Sequence, residues 1–454
     1  MTDSRDRPIV LGGGMAGIAA AMELADRGAS PILVESRPYL GGRVRSFIHQ
    51  ETGDEIDNGR HLLIGCYHKT FDLLRKLGTD DLVTIQPALR VEFRTTDNSD
   101  DTLISPSWLP PPLHVLAGMF RLKQLSFRER AGLLRVGLDV KRKGPHENET
   151  VAQYLGRLDQ SKRTQQRLWS PLVIATLNTR PEEASARLFA AVMRLAFLSK
   201  SHDSKLAIPR VGLSRLIAPG EEYITSRGGR IFSGRFVAHI VRIAKEWEVH
   251  LRDGMVLRTS TVLSALPWRE SSTLLGEHLP RLQKGPSPSP YPGELPRHNP
   301  IVSVYLWFDR SLEEMPEFNA MLGTQVEWMF NRRKISGEKN QRFPGLLECV
   351  VSAADTLVEL DNGEIVAIAE KELRAAFREL EGANLIASQV VKEKRATFHA
   401  SPDINKARPV PGSLGSGLFV AGDWTATGLP GTIEGAVRSG LIAARQICER
   451  ESEQ

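Results

Sequence analysis

The sequence predicts an α/β protein with a Rossmann-like sheet, on three observations near its two ends. Residues 8–11 form a short apolar, β-like run, followed by a glycine-rich turn and an alanine-rich helical stretch that ends at Gly28. A second apolar run then closes at Glu35. Near the other end, an apolar run at 418–421 leads into Gly422 and then into a glycine-started helix. Strands that alternate with helices are typical of parallel sheets covered by helices.

Length and composition limit the class of protein. The chain has 454 residues, which is too long for one compact core and predicts two or three domains. Its three cysteines, Cys66, Cys349 and Cys448, lie far apart, which excludes a disulfide framework and a thiolate metal site. No carboxylate or histidine metal motif occurs either, so we expect no metal. This usage indicates a cytoplasmic protein, and no apolar run reaches the roughly 18 residues that span a bilayer.

The first turn has the G-x-G-x-x-G spacing of a dinucleotide site. Its first glycine makes the tight turn, the third position lets the backbone approach a pyrophosphate, and the sixth lets helix and strand pack closely. The N-terminus of the following helix directs unpaired N–H groups at the same phosphates. Glu35 accepts hydrogen bonds from the adenosine ribose, which disfavours NADP. The predicted contacts of this turn are Gly12, Gly14, Met15, Ala16 and Gly17.

Two further segments favour FAD over NAD. Gly42 and Arg43 follow the second strand closely; glycine allows close approach and arginine supplies a cation for the pyrophosphate. The alternative is an ordinary glycine turn with a solvated arginine. At the far end, Asp423 ends a strand and could bind a ribityl hydroxyl. The helix that starts at Gly431 offers the amides of its first residues, Thr432 and Ile433, to the N1–C2 edge of a flavin ring.

These flavin motifs, with several other segments in the same order, resemble the hydroxysqualene dehydroxylase family, also called squalene-associated FAD-dependent desaturases. That family belongs to the FAD-dependent amine oxidase and phytoene desaturase superfamily. The segments that carry the resemblance are 57–63 with 65–67, 169–172 with 175–179, 209–214, 393–398 and 421–430. The resemblance covers about residues 7 to 447.

The resemblance implies a reaction and a cofactor. Members of that family use reduced FAD to replace the hydroxyl of a C30 isoprenoid alcohol, hydroxysqualene, with hydrogen, which gives squalene for hopanoid or sterol-like lipids. We expect Gly59, Arg60 and His61 near the flavin ring, although Arg60 stands where glutamine is expected. No cysteine lies near 422–431, so we expect non-covalent FAD. The electron donor is left open.

In this superfamily the FAD-binding domain is discontinuous, and the sequence allows the same division. We predict a FAD-binding domain from residues 1–100, 205–275 and 395–454, in which Val237 contacts the adenine through its backbone. Residues 276–394 are predicted to form an inserted α+β substrate-binding domain, entered through a proline-rich loop at 285–300. Residues 101–204 are predicted to be a helical part for membrane contact and substrate access.

The basic excess of the chain is concentrated in residues 108–143. This stretch has eight basic and two acidic residues, against a net charge of +5 for the whole chain. It is also rich in leucine and phenylalanine, and a basic amphipathic helix of this kind can lie on an anionic membrane. The alternative is a solvated face over a local core. We expect a peripheral protein on the inner face of the plasma membrane. Few aromatic residues and no nucleic-acid motif argue against nucleic-acid binding.

The expected reaction calls for a proton donor, because hydroxide is a poor leaving group. His61 is one candidate, since histidine can hold a proton near neutral pH; the alternative is that it only hydrogen-bonds backbone or flavin. Glu434 is a second candidate, with a helix-tethering role as its alternative.

Three other functions remain open at this point: a carotenoid or phytoene-type desaturase, an amine oxidase and a non-catalytic isoprenoid-binding protein. Leu429 and Pro430 stand where an amine oxidase typically presents aromatic side chains, and they suit an alkene better. The flavin-binding glycines are all present, which argues against the non-catalytic protein.

Overall fold

The structure is a computed structural model that describes residues 7–97, 100–106, 108–123, 125–278 and 297–452. Within these residues the strands, numbered β1 to β21 along the chain, are Ile9–Leu11, Ile32–Val34, Ser46–Ile48, Glu55–Asp57, Leu63–Ile64, Val83–Ile85, Arg90–Thr95, Asp101–Ile104, Leu206–Pro209, Arg230–Phe232, Val237–Ile243, Glu246–Leu251, Val256–Thr259, Val262–Ser264, His298–Phe308, Phe318–Leu322, Trp328–Asn331, Gly345–Val351, Leu385–Phe398, Gly412–Gly415 and Leu418–Val420.

The α-helices of the same residues, numbered α1 to α15, are Met15–Asp26, His68–Leu77, Leu113–Phe120, Phe127–Arg142, Val151–Arg157, Lys162–Thr164, Ser170–Leu177, Ala186–Val192, Leu213–Ile217, Gly220–Thr225, Trp268–Leu275, Arg332–Ser336, Asn362–Ala376, Pro402–Ala407 and Ile433–Ser452. Two short π-helical segments continue these helices: Gln165–Trp169 lies between α6 and α7, and Met193–Phe197 directly follows α8.

A six-stranded sheet confirms the predicted α/β fold. Its strand order is β10-β2-β1-β14-β21-β20, in which all neighbours are parallel except β20 and β21. The sheet therefore joins strands from the beginning, the middle and the end of the chain. Helices α1 and α15 pack together beside it, and a Cβ atom on Gly440 would lie 2.1 Å from the Ala16 carbonyl oxygen. That approach requires glycine.

A seven-stranded sheet forms the second body of the molecule. Its strand order is β19-β15-β18-β17-β16-β7-β8. Helix α13 buries its apolar side, including Ile365 and Leu373, against one face of this sheet, where Val304 and Leu306 lie. The opposite face lies against a large cavity, which Ile301, among others, lines.

Two of the predicted domain boundaries, at residues 100 and 395, fall within stretches of the chain that form this sheet. Strands β7 and β8 belong to it, since Phe93 pairs with Ala320 of β16, although residues up to 100 were assigned to the FAD-binding domain. Strand β19 keeps the chain in the same sheet as far as Phe398, beyond the predicted boundary at 395. In both places a strand is hydrogen-bonded to a partner far away in the sequence, and the local pattern contains no sign of that partner.

Helices α3 to α8 lie within residues 101–204, the stretch for which a helical part was predicted. The basic stretch 108–143 is two helices rather than one: α3 ends at Phe120, and α4 begins after Ser126, which forms a capping box with Glu129. Of the proline-rich stretch 285–300, residues up to 296 lie outside the described part, and His298 already begins β15. Among the described residues, no helix has both the length and the apolar character needed to cross a membrane.

Candidate active site

A single cavity of about 1120 Å³ contains nearly all of the predicted site residues. It extends from the carboxyl ends of β1 and β2, past the start of α15, to the seven-stranded sheet. A typical small-molecule site has roughly 300–1,000 Å³, so the volume of this cavity lies slightly above that range. The predicted residues that line it are Gly12, Gly14, Met15, Ala16, Glu35, Gly42, Arg43, Gly59, Arg60, His61, Val237, Gly422, Asp423, Gly431, Thr432, Ile433 and Glu434.

The first turn forms an open cradle at one end of the cavity. Gly12 has a φ of +99°, and a Cβ atom on Gly17 would lie 1.9 Å from the Gly12 carbonyl oxygen, so both positions need glycine for the fold itself. Gly14 differs, because nothing lies within 4 Å of its hypothetical Cβ atom. The backbone is therefore bare on the side of the cavity, which fits the approach of a pyrophosphate.

Two neighbouring segments complete this cradle. A Cβ atom on Gly42 would lie 3.2 Å from the Gly14 Cα atom, so the Gly-Gly-Arg loop packs directly on the turn. The Glu35 carboxylate accepts hydrogen bonds from the backbone N–H groups of Gly13, at 2.6 Å, and Arg37, at 2.8 Å. These bonds hold Glu35 where the fingerprint places the acidic residue that binds ribose. The residues present fit the pyrophosphate and adenosine of FAD.

Arg43 and Asp423 form an ion pair farther along the cavity. The Arg43 Nη2 atom is 2.6 Å from Asp423 Oδ1, and its Nη1 atom donates to the Ala396 carbonyl at 2.5 Å. Burial works against the Arg43 charge, but the Asp423 carboxylate outweighs it and raises the pKa of Arg43. A cation and an anion therefore lie side by side in the cavity. The sequence predicted a separate cofactor contact for each, Arg43 with the pyrophosphate and Asp423 with a ribityl hydroxyl, and it did not predict that they pair.

The turn that presents Asp423 is held by residues that sequence reasoning missed. The Gly422 N–H group donates to Ser439 Oγ at 2.8 Å. The Arg408 guanidinium is buried and donates to the Trp424 carbonyl at 3.1 Å, and burial lowers the pKa of Arg408 to about 10. The Trp424 indole stacks on Trp268, with ring centroids 5.3 Å apart. No motif in the sequence marks Arg408 or Trp268.

The start of α15 lies at the same part of the cavity. Thr432 Oγ1 accepts a hydrogen bond from the Gly435 N–H group at 3.0 Å. The Thr432 side chain is also hydrogen-bonded to Tyr67, a residue that was recognised only as part of the family resemblance. Tyr67 and its neighbour Cys66 line the cavity. Burial raises the pKa of the Cys66 thiol to about 12, so this cysteine stays protonated.

Glu434 lines the cavity, but both of its carboxylate oxygens are hydrogen-bonded to other groups of the protein. Its Oε2 atom accepts hydrogen bonds from the N–H and hydroxyl groups of Thr70, both at 2.8 Å. Its Oε1 atom accepts from the Lys69 N–H group at 3.2 Å and from Arg438 Nε at 2.6 Å. The carboxylate thus binds the first turn of α2, and this geometry favours the tethering role over proton donation.

The side chains of His61 and Arg60 both form hydrogen bonds with backbone carbonyls of the protein. The His61 Nδ1 atom is 2.9 Å from the Gly59 carbonyl oxygen, which can only accept, so the neutral ring carries its proton on Nδ1. Burial lowers the pKa of His61, and the nearby Arg43 lowers it further. The Arg60 guanidinium donates to the Pro209 carbonyl at 2.6 Å and approaches Asp57. Its charged end is therefore engaged within the protein.

The other part of the cavity is apolar. It lies between the seven-stranded sheet and the helical part, and its lining combines side chains from both. These include Leu62, Leu89, Val91, Phe93, Leu103, Val115, Met119, Leu168, Leu172, Ile174, Leu195, Phe197, Leu206, Ile301, Met321, Leu322, Trp328, Phe330 and Val350. We call this region the apolar arm. Leu429 and Pro430 line the cavity just before the start of α15, without an aromatic pair at that point.

Known proteins resemble this chain over nearly its whole length. The model of the flavin containing amine oxidoreductase family matches residues 15–448. A hydroxysqualene dehydroxylase of Rhodopseudomonas palustris is 30% identical over 443 residues, which cover 96% of each chain. The chain belongs to the flavin containing amine oxidoreductase family, among the hydroxysqualene dehydroxylases.

Two other known proteins are similar to the chain over most of its length. A 15-cis-phytoene desaturase of Narcissus pseudonarcissus is 25% identical, over 97% of this chain and 79% of its own. The structure of a cyclohexylamine oxidase from Brevibacterium oxydans superposes with a TM-score of 0.70 at 18% identity, covering 99% of this chain and 100% of its own. That likeness shows a shared fold. The chain is thus an FAD-dependent oxidoreductase, as the sequence motifs predicted.

Proposed function

We propose that this protein removes the hydroxyl of hydroxysqualene reductively and releases squalene. The observation that carries the proposal is the continuity of the cavity, in which the FAD cradle opens directly into the apolar arm. A long isoprenoid has no charged group that a protein could bind, so its recognition depends on burial of apolar surface. The name of the relative from Rhodopseudomonas palustris supports this substrate.

The proposed cofactor contacts follow the cavity from end to end. Glu35 and Val237 would hold the adenosine, and the glycines of the first turn, with Gly42 and Arg43, would hold the pyrophosphate. Asp423 would bind the ribityl chain, and Gly59, His61, Thr432 and Ile433 would surround the ring. FAD supplies a hydride in its reduced form. We propose that it is bound without a covalent link.

The chain itself binds the substrate, excludes water and positions groups around the reacting carbon. The apolar arm would hold the isoprenoid against the ring and keep water away from it. Neutral His61 would present Nε2 as a hydrogen-bond acceptor and not as an acid, since its proton lies on Nδ1. Glu434 would fix α15 against α2 through its bonds with Thr70.

The three parts of the chain would divide this work. The six-stranded sheet and its helices form the FAD-binding domain, and the seven-stranded sheet forms one wall of the substrate site. Helices α3 to α8 form the opposite wall and the access route. In α3, Val115 and Met119 line the cavity while Leu113 is exposed, so this helix separates the apolar arm from the outside.

We also propose that α3 and α4 rest on an anionic membrane at the cytoplasmic face. The exposed apolar side chains Trp108, Leu113, Phe127 and Leu138 cluster in the same segment as the basic residues. Basic residues near a membrane surface each contribute about 1 kcal/mol of binding. An insoluble substrate could then pass from lipid to the apolar arm.

A phytoene-type desaturase is the second candidate, because the relative from Narcissus pseudonarcissus matches 97% of this chain. A desaturase would oxidise a polyene with oxidised FAD, whereas the proposed reaction needs reduced FAD. The two functions therefore differ in the starting redox state of the flavin, which an experiment can set.

Anaerobic incubation of the photoreduced holoenzyme with hydroxysqualene tests the proposal. We expect squalene in an amount that matches the flavin reoxidised, which optical absorbance measures. A parallel sample of oxidised holoenzyme with phytoene should leave the flavin oxidised. Flavin that stays reduced with hydroxysqualene, or that becomes reduced by phytoene, would overturn the proposed reaction; the second result would favour the desaturase.

A further inference from the structure

Glu327 is a carboxyl group on the wall of the substrate cavity that no motif of the sequence marks. It lies immediately before β17 and lines the cavity together with Trp328, Val350 and Ser352. The Ser352 N–H group donates to Glu327 Oε2 at 2.9 Å, and the Ser352 side chain hydrogen-bonds to the same carboxyl group. Two bonds from one residue therefore fix its orientation in a largely apolar wall.

The position of Glu327 in the sheet brings it close to the loop expected at the flavin ring. Trp328, its neighbour, pairs with Val350, which pairs in turn with Ser303. A Cβ atom on Gly59 would lie 3.6 Å from Ser303 Oγ, so the loop of His61 rests on that strand. Two strand spacings separate β17 from β15, which is roughly 10 Å.

A second series of contacts leads from the start of α15 to the same carboxyl group. The hypothetical Cβ atom of Gly431 lies 3.2 Å from Thr397 Cβ, and Thr397 Oγ1 accepts from Asn178 Nδ2 at 3.0 Å. Asn178 Oδ1 accepts from the Ala353 N–H group at 2.6 Å, one residue after Ser352. Glu327 is thus attached to the framework that surrounds the proposed flavin position.

The protonation of Glu327 suits a donor. Burial raises its pKa to about 7, against the lowering effect of the Ser352 hydrogen bonds and of Arg180. Two other titratable groups of the cavity, Tyr67 and His61, are less suitable. Burial raises the pKa of Tyr67 well above that of an ordinary phenol, and burial lowers the pKa of His61. A group with a pKa near the working pH is both protonated and acidic enough to give its proton away.

We propose that Glu327 is the proton donor for the leaving hydroxyl of the isoprenoid alcohol, a role that rests on the proposed function. The C–O bond breaks with its electron pair on oxygen, and that oxygen takes the Glu327 proton and leaves as water. The carbon accepts the hydride, with its electron pair, that the proposed function assigns to reduced FAD. Glu327 is left as a carboxylate and regains its proton from solvent.

Glu327→Gln is the variant that tests this role, because an amide oxygen can still accept from Ser352 but the side chain has no acidic proton. We expect its kcat for squalene formation to fall by roughly 100-fold or more, the usual contribution of general acid catalysis. Its KM and its FAD content should stay close to those of the unmodified protein. The kcat of the unmodified protein should fall as the pH rises through about 7. The residual kcat of the variant should not show this decrease.

Glu372→Gln is the matched control. Glu372 accepts hydrogen bonds from the N–H groups of Gln325 and Val326, both at 2.9 Å, and so holds the loop of Glu327 from the side of α13. It does not belong to the cavity lining among the described residues. If Glu327 acted only by keeping this loop in place, both variants would lose activity together. We expect Glu372→Gln to keep its kcat and its pH profile.

Infrared spectroscopy gives a readout that does not depend on turnover. The protonated carboxyl of Glu327 should contribute a C=O band that disappears as the pH rises through about 7 and that is missing from Glu327→Gln. The proposal is overturned by a variant with unmodified kcat and pH profile, or by the absence of such a titrating band in the unmodified protein. If the unmodified protein makes no squalene, the proposed function fails instead, whatever the infrared result.

Discussion

The Arg43 guanidinium and the Asp423 carboxylate, from opposite ends of the chain, form an ion pair with 2.6 Å between Nη2 and Oδ1. Each lies directly after a segment of the FAD-binding fold, Arg43 after the Gly-Gly loop that packs on Gly14 and Asp423 after β21. The pair thus closes the cradle between the first and last parts of the sheet.

Arg43→Gln should weaken FAD binding by roughly 10- to 100-fold, or about 1.4–2.8 kcal/mol. The variant loses the cation proposed for the pyrophosphate and leaves Asp423 without its partner. Flavin fluorescence during titration of the apoprotein measures the Kd. Arg45→Gln is the control, since Arg45 stacks over Tyr39 with 4.4 Å from its Cζ atom to the ring centroid and does not belong to the described cavity lining. Equal affinities of the two variants would contradict the assignment.

Alanine at Gly14 and at Gly17 should separate cofactor binding from folding. Gly14 has a φ of −74° and free space around its hypothetical Cβ atom, so Gly14→Ala should fold with an almost unchanged Tm and purify with little flavin. A Cβ atom on Gly17 would lie 1.9 Å from the Gly12 carbonyl oxygen, so Gly17→Ala should lose about 1–3 kcal/mol of stability or more. Circular dichroism and flavin absorbance measure both effects. A flavin-loaded Gly14→Ala protein would argue against the proposed pyrophosphate position.

Glu434→Gln should change stability more than chemistry. The Glu434 carboxylate is buried and binds Thr70 at the first turn of α2 and Arg438 on its own helix. Loss of its charge should lower the free energy of unfolding by about 1–2 kcal/mol, because the charge interacts with the N-terminus of α2 and strengthens the hydrogen bonds that the carboxylate accepts. Urea unfolding measures that loss. The rate of squalene formation per bound flavin should stay within about twofold; a fall of 100-fold would restore Glu434 as a catalytic group.

The sequence predicted those parts of the site whose conformation depends only on residues close together in the chain. The first turn could be read from the sequence because Gly12, Gly14 and Gly17 act on their own strand and helix. The start of α15 was predicted for the same reason, since Thr432 caps the helix that follows it. These features need only a few consecutive residues, and their conformations follow from backbone geometry and helix ends.

Long-range pairing determined what the sequence did not predict. Strand β7 enters the seven-stranded sheet because Phe93 pairs with Ala320, and neither residue has a pattern that specifies the other. The hydrogen bond from Arg60 to the Pro209 carbonyl likewise joins two residues that are 149 positions apart in the chain. Glu327 belongs to no recognised motif and became a candidate only when the fold placed it on the cavity wall.

His114 should contribute to a loss of stability in acid. It is buried, its Nε2 atom lies 3.3 Å from Ser204 Oγ, and burial lowers its pKa from the ordinary value of 6.5. As the pH falls below about 6.5, the unfolded chain takes up a proton here while the folded chain does not. The stability associated with neutral His114 is therefore complete above that value and is lost progressively below it, by at most about 1.4 kcal/mol per pH unit.

Urea unfolding of His114→Gln at several pH values checks this contribution. The amide can still bond to Ser204 but does not titrate, so the variant should lose less stability than the unmodified protein between about pH 7 and pH 5. His202→Gln serves as the control, because His202 is exposed. Identical pH dependence in His114→Gln and the unmodified protein would show that this residue does not act as described.

The surface of α3 and α4 should bind anionic vesicles through both charge and apolar contact. Replacement of Arg121, Lys123 and Arg128 by glutamine removes three exposed cations near Phe127, whose side chain is 76% exposed. Arg130 is left in place because its Nη2 atom donates to the Leu122 carbonyl at 2.7 Å and holds the end of α3. At about 1 kcal/mol for each cation, the triple variant should bind phosphatidylglycerol vesicles roughly 100-fold more weakly.

A charge-matched control decides whether position or only net charge matters. Replacement of Lys339, Arg342 and Lys371 by glutamine removes the same charge from exposed positions in residues 276–394, the predicted substrate-binding domain. That variant should sediment with the vesicles as the unmodified protein does. Added salt should weaken the vesicle binding of both proteins, because the Debye length falls to about 8 Å at physiological ionic strength. Phe127→Ser should reduce binding even at low salt, since a membrane contact needs the apolar side chain as well. If both triple variants bind equally well, α3 and α4 are a solvated face over their own core.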